Sequence, residues 1–127
     1  MHLIGQAWIY RVGNSRVRVE NAFTWVGWAQ ERLVVNDESV RTAGAWYGLS
    51  RDFNEDWLTP TGEGDLSVRL RSGLNGISCE AWLDGVEVEP EALLVARWRG
   101  GRNTWAPAEA WTPAGKHSWI ARKSSAA

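Results

Sequence analysis

Residues 31–40 read ERLVVNDESV, and residues 79–88 read CEAWLDGVEV. Each stretch is a short strand-like run, a two-residue polar turn and a return run ending in valine. Asn36-Asp37 and Asp84-Gly85 sit where a two-residue β-hairpin needs its turn, because Asn, Asp and Gly tolerate the positive φ that matches strand twist. The likeness extends upstream, where VRVE at 17–20 leads into the first unit and VRLR at 68–71 into the second. The order strand, connection, strand, tight turn, strand therefore occurs twice. These features predict an all-β fold, a small antiparallel β-sandwich built from two repeated hairpin or meander units.

The turns fix the expected registers. With Gly13-Asn14 as a tight turn, Val12 opposes Ser15, Tyr10 opposes Val17 and Trp8 opposes Val19, and these large residues share one face. Ile9 looks the other way, beside Arg16 and Arg18. With Asn36-Asp37 as a turn, Val35 opposes Glu38 and Leu33 opposes Val40. Leu33, Val35 and Val40 then face the core and Val34 faces away, so truncating Val34 should cost much less than truncating Leu33 or Leu83. In the second unit Leu66, Val68 and Leu70 alternate with Ser67, Arg69 and Arg71, the pattern of a half-buried strand. Ala81, Leu83, Val86 and Val88 share a face, with Trp82 opposite.

Other segments are less regular. Residues 23–29 form an aromatic connection, either a plug over the sandwich end or an exposed platform. Residues 45–47 are a candidate strand. Residues 50–57 read as a helical turn, with Phe53 and Trp57 four apart, or as an extended edge piece. Residues 59–64 read as loop and hinge by composition. Residues 92–98 read as a last strand, or as a short helix begun at Pro90; valine, tryptophan and the β context favour the strand. The sandwich is expected over 1–99. Residues 100–127 are expected to be a Gly- and Pro-bearing extension, partly disordered and not required for folding. Trp105, Trp111 and Trp119 keep open the alternative that it docks across the sandwich.

The 127 residues carry a net charge of −1 with a pI near 6.1, which gives no electrostatic footprint for nucleic acid or an anionic membrane. Cys79 is the single cysteine; it excludes an intrachain disulfide and reads as a small buried apolar residue. The sequence begins without a secretory pattern and contains no bilayer-length apolar run, which points to a cytoplasmic protein. Ten tryptophans against two Phe and two Tyr are more than a small sandwich can bury comfortably, because each buried indole N–H needs a partner.

Catalytic, metal and cofactor signatures are not found. His2 and His117 lie outside informative motifs. Asp52, Glu55 and Asp56 lack the glycine-punctuated pattern of a calcium loop. Arg97, Arg99 and Arg102 interleave with Trp98 and Trp105 as a nucleic-acid candidate, but the near-neutral balance argues against that partner. Trp25, Trp28 and Trp82 are the candidate ligand-binding residues, lying in a connection or on a non-core face.

The Arg-bearing strand entry, the turns Val35-Asn36-Asp37 and Leu83-Asp84-Gly85, and the immediate return strands resemble the repeated hairpin units of the Fas apoptotic inhibitory molecule family. The likeness spans about residues 16–88. It departs at Asp37, where glycine is usual, and in the tryptophan-rich C-terminal part. It implies a β-sandwich interaction domain without catalytic residues. The functional expectation is a small non-enzymatic module that binds an unidentified protein or itself. The alternative is a carbohydrate-binding module that stacks sugar rings on exposed tryptophans, and an enzyme with an unrecognised site is a third option.

Overall fold

A computed structural model of the chain describes residues 1–46, 57–73 and 76–114. The fold is all-β, made of two antiparallel sheets. The large sheet contains β1 (His2–Val12), β2 (Ser15–Phe23), β3 (Trp28–Val35), β4 (Glu38–Trp46), β9 (Ala92–Arg99) and β10 (Thr112–Pro113). The small sheet contains β5 (Trp57–Thr61), β6 (Gly64–Gly73), β7 (Gly76–Leu83) and β8 (Val86–Val88). The large sheet runs β10-β9-β1-β2-β3-β4 and the small one β5-β6-β7-β8, so each contains four consecutive antiparallel strands. β9 then returns to the large sheet beside β1.

Turn chemistry sets the registers. Val12 pairs with Ser15, Val35 with Glu38 and Leu83 with Val86, so three tight turns form where the Gly and Asx residues predict them. Asn36 and Asp37 both hold positive φ, 50° and 67°, as do Asp84 and Gly85 at 47° and 85°. The Asn-Asp turn thus adopts the same class of backbone as its Asp-Gly counterpart despite lacking the glycine.

The core lies between the sheets. Trp8, Tyr10, Val12, Val17, Val19 and Leu33 of the large sheet meet Trp57, Leu66, Val68, Leu70, Cys79 and Ala81 of the small one. Each large aliphatic or aromatic side chain buried there contributes about 1.5–3 kcal/mol. Beyond this layer, Gln6, Asn21 and Glu31 form a buried polar row across β1, β2 and β3. Gln6 Nε2 donates to Asn21 Oδ1 at 3.0 Å. Such a row pins register, because slipping one strand by a residue would turn its polar member to the other face.

Four local expectations are corrected. The ladder between β3 and β4 shifts at Leu33/Val34, so Val34 opposes Ser39 and Leu33 opposes Arg41. Val40 is the extra residue of this β-bulge and is exposed rather than core-facing. Residues 59–64 are not an open loop: Pro60 pairs with Asp65 and Thr61 with Gly64 in a hairpin, and Pro60 is tolerated because β5 is an edge strand. Val86 shares a side with Leu83 but is exposed, on the three-residue edge strand β8. Val34, expected to face solvent, is 4 % exposed against 1 % for Leu33. The large sheet is buried on both faces along its middle strands.

Part of the outer cover is the segment after β9. Gln30 is fully buried on that face. Its Oε1 accepts from the Asn103 amide at 2.8 Å, and its Nε2 donates to the Thr104 carbonyl at 2.7 Å. Ala106 is buried, residues 108–110 make a single 3-10 turn, and β10 pairs with β9. Residues 100–113 therefore lie on the sandwich, the docking alternative raised by their tryptophans. Of the helical-turn or edge-piece expectation for residues 50–57, residues 50–56, with Asp52, Glu55 and Asp56, fall outside the described residues, and Trp57 is extended as the first residue of β5; His117, Trp119 and the end of the chain also fall outside.

Candidate functional site

The outer face of the large sheet gathers Trp28, Trp46, Trp98, Trp105 and Trp111. Two glycines make room for the rings. A Cβ on Gly5 would lie 2.6 Å from the Trp98 ring, and one on Gly44 would lie 2.6 Å from the Trp28 ring. Trp28 Nε1 donates to Gln30 Oε1 at 2.8 Å, which draws that indole down onto the sheet. Trp98 Nε1 donates to Thr104 Oγ1 at 3.3 Å. Gln30 thus ties Trp28 and the 103–104 backbone into one unit.

Arginines interleave with these rings. The Arg102 guanidinium stands 5.4 Å from the Trp28 ring centre and 5.7 Å from that of Trp46. Trp28 and Trp46 are directly paired across β3 and β4 and meet edge to face at 5.3 Å. Arg32 covers Trp105 at 4.5 Å. Arg32 and Arg18 each approach Glu20 Oε2 at 2.8 Å, so this buried carboxylate is held between two cations. Cation–π contacts of this kind contribute about 0.5–2 kcal/mol each according to their exposure.

Where this face meets the sheet edge, the apolar surface opens. Trp46 is 48 % exposed, and Thr42, Ala43 and Gly44 along β4 are exposed too. At the adjoining β2–β3 turn, Trp25 is 81 % exposed beside an exposed Val26. The Thr24 hydroxyl fixes that turn by accepting from the Trp28 amide at 3.1 Å. Trp25 also meets Phe23 edge to face at 6.1 Å.

The sequence candidates are therefore dispersed. Trp25 projects from a turn of the large sheet. Trp28, at 7 % exposure, is no platform; Gln30, Gly44 and Arg102 seat it beneath Trp46. Trp82 lies half-buried on the outer face of the small sheet, with Arg69 at 5.9 Å from its ring centre. Among the arginines, Arg97 opposes Ile4 and Arg99 opposes His2 on one side of the large sheet, whereas Arg102 stands over Trp28 and Trp46 on the other. They form no single basic surface. Trp46 and Gln30 were missed, because only the β-bulge turns Trp46 to the outer face and opposite Trp28. Without it, the register set at Val35 and Glu38 would carry Trp46 opposite Gly27 and toward the inner side.

The two buried carboxylates among the described residues, Glu20 and Glu31, lie on opposite faces of the large sheet, since Glu20 pairs with Arg32 and Glu31 with Asn21. They cannot act as an acid–base pair. Among the described residues no cluster of three or more His, Cys, Asp or Glu side chains is placed to hold a metal, and no helix is long and apolar enough to cross a membrane. Burial, the largest cause, and the neighbouring Cys79 push the Tyr10 phenol well above its ordinary pKa. Compared with known protein families, characterised proteins and solved structures, the chain gives no match.

Proposed function

We propose that this protein is a non-enzymatic β-sandwich module that binds another protein chain through the β4 side of its large sheet. One comparison carries this reading, that of the four sheet edges among the described residues. β10 is two residues long and contains Pro113. β5 is five residues long and contains Pro60. β8 is three residues long and carries Glu87. Short length, proline, charge and β-bulges are the ordinary means of keeping an edge from pairing. β4 is nine residues long and has no proline; its bulge and its two charges, Glu38 and Arg41, are confined to 38–41, and residues 42–46 read Thr-Ala-Gly-Ala-Trp with neither. Exposed Trp46, Trp25 and Val26 beside it supply the aromatic and apolar contact that interfaces favour.

The likeness of the hairpin units to Fas apoptotic inhibitory molecule domains agrees with an interaction role. A single, buried cysteine, Cys79, fits a reducing compartment such as the cytoplasm. A photoreactive benzophenone residue placed at Thr42, compared with one at Leu58 on β5, tests the site. Protein adducts should form at 42 and not at 58. No adduct at 42, either with the purified protein or in cell extract, would remove the reading.

A glycan-binding reading is favoured by one observation, the exposure of Trp25 and Trp46, since flat indoles stack on sugar rings. Tryptophan fluorescence titrated with a broad panel of soluble glycans checks it. No shift with any of them removes the idea.

A further inference from the structure

We propose that the occupant of the β4 edge is a second copy of this chain, paired antiparallel so that the large sheet continues across a two-fold axis. The inference rests on β4 being the interaction edge and names its partner. A two-fold axis perpendicular to the sheet keeps inner face beside inner face only if it passes through a residue position, because facing residues must point the same way. An axis at Ala43 satisfies this. Thr42 then faces Gly44 of the partner subunit, and Ala43 faces its own copy.

Shape and charge both suit that register. Gly44 has no side chain, and the Trp28 ring occupies the space above it. The facing Thr42 therefore packs against an indole rather than against a second branched side chain. Arg41 and Glu38 are the only charged residues of β4. Arg41 is turned inward by the bulge, with its guanidinium 5.0 Å from the Trp57 ring centre. With the axis at Ala43 the two Arg41 residues lie four positions apart along the paired strands, and neither Glu38 faces an acid. An axis one residue earlier, at Thr42, would bring the two arginines within diagonal reach. The bulge at Val40 ends the regular edge on one side. Strand pairing alone covers less than a stable interface requires, and Trp46 and the Trp25–Val26 turn are the apolar surface available to complete it.

Sedimentation velocity of the full chain over a wide concentration range tests the proposal, with charge exchange at Thr42 as its control. The wild type should shift from monomer to dimer as concentration rises. Thr42→Lys and Thr42→Glu should each weaken the dimer at least about tenfold, because the two copies of residue 42 then set like charges diagonally across the seam, beside the Gly44 positions they face. An equimolar mixture of the two should restore it, which a merely misfolded variant could not do. Leu58→Lys, on the β5 edge, should leave it intact. A wild type that stays monomeric throughout overturns the proposal, as does a dimer indifferent to both Thr42 substitutions. If it stays monomeric while the photoreactive Thr42 variant captures another protein, self-pairing is excluded and the β4 interaction edge stands.

Discussion

Tyr10 shows what one buried group does to the energetics. Its hydroxyl donates to the Cys79 carbonyl at 3.5 Å, a long bond between the two sheets. Burial holds the phenol neutral well above the ordinary tyrosine pKa, whereas in the unfolded chain it ionises near pH 10. Above that pH the unfolded state releases a proton that the folded state keeps, so this group's contribution to stability is intact below pH 10 and is lost as pH rises. The slope should approach about 1.4 kcal/mol for each pH unit. Urea unfolding of wild type and Tyr10→Phe between pH 8 and about pH 11 checks it. The variant should start lower by about 1 kcal/mol or less and show a shallower loss on the alkaline side. Parallel curves would show that Tyr10 titrates like an exposed phenol.

At the scale of the element, the legible features were those with a local chemical cause. Gly13, Asn36, Asp84 and Gly85 announce their turns because few residues hold positive φ cheaply. Alternation in Leu66–Arg71 announces β6 because a strand repeats every two residues. The bulge at Val40 has no such signal: valine is an ordinary strand residue, and only the observed register shows the extra position that turns Arg41 inward toward Trp57. Burial of Val34 was illegible for another reason. Leu33, Val34 and Val35 follow one another, and a strand buried on both faces carries no in–out alternation to show which residues are covered. Leu33→Ala should cost about 2–5 kcal/mol. Val34→Ala should now cost about 2 kcal/mol, since it too removes buried methyl groups. Urea midpoints for both variants check this, and a Val34→Ala midpoint equal to wild type would mean that the outer face is open in solution.

For the whole molecule, the tail and the edge decide most. The anchoring of residues 103–104 by Gln30, the burial of Ala106 and the pairing of β10 predict that a chain ending at Gly101 loses stability by more than about 3 kcal/mol, because Gln30 loses its partners and the outer face around Gly5, Trp28 and Arg32 loses Trp111, Arg102 and Trp105. Unchanged cooperativity and stability in urea would make the tail the appendage that its composition suggests. The site was half legible. Trp25 stands out in sequence as an indole in a turn, but Trp46 gains its place only through the bulge, and the contrast among four edges exists only once the strand order is known.

The most direct measurement is hydrogen exchange of the full chain at low and high protein concentration, read over peptides that separate β4 from β5, β8 and β10. Slower exchange at high concentration confined to residues 38–46 is the predicted result, since unpaired edge amides gain partners there and nowhere else. Equal exchange of β4 at both concentrations, or protection that appears on β5 or β8 instead, would contradict it.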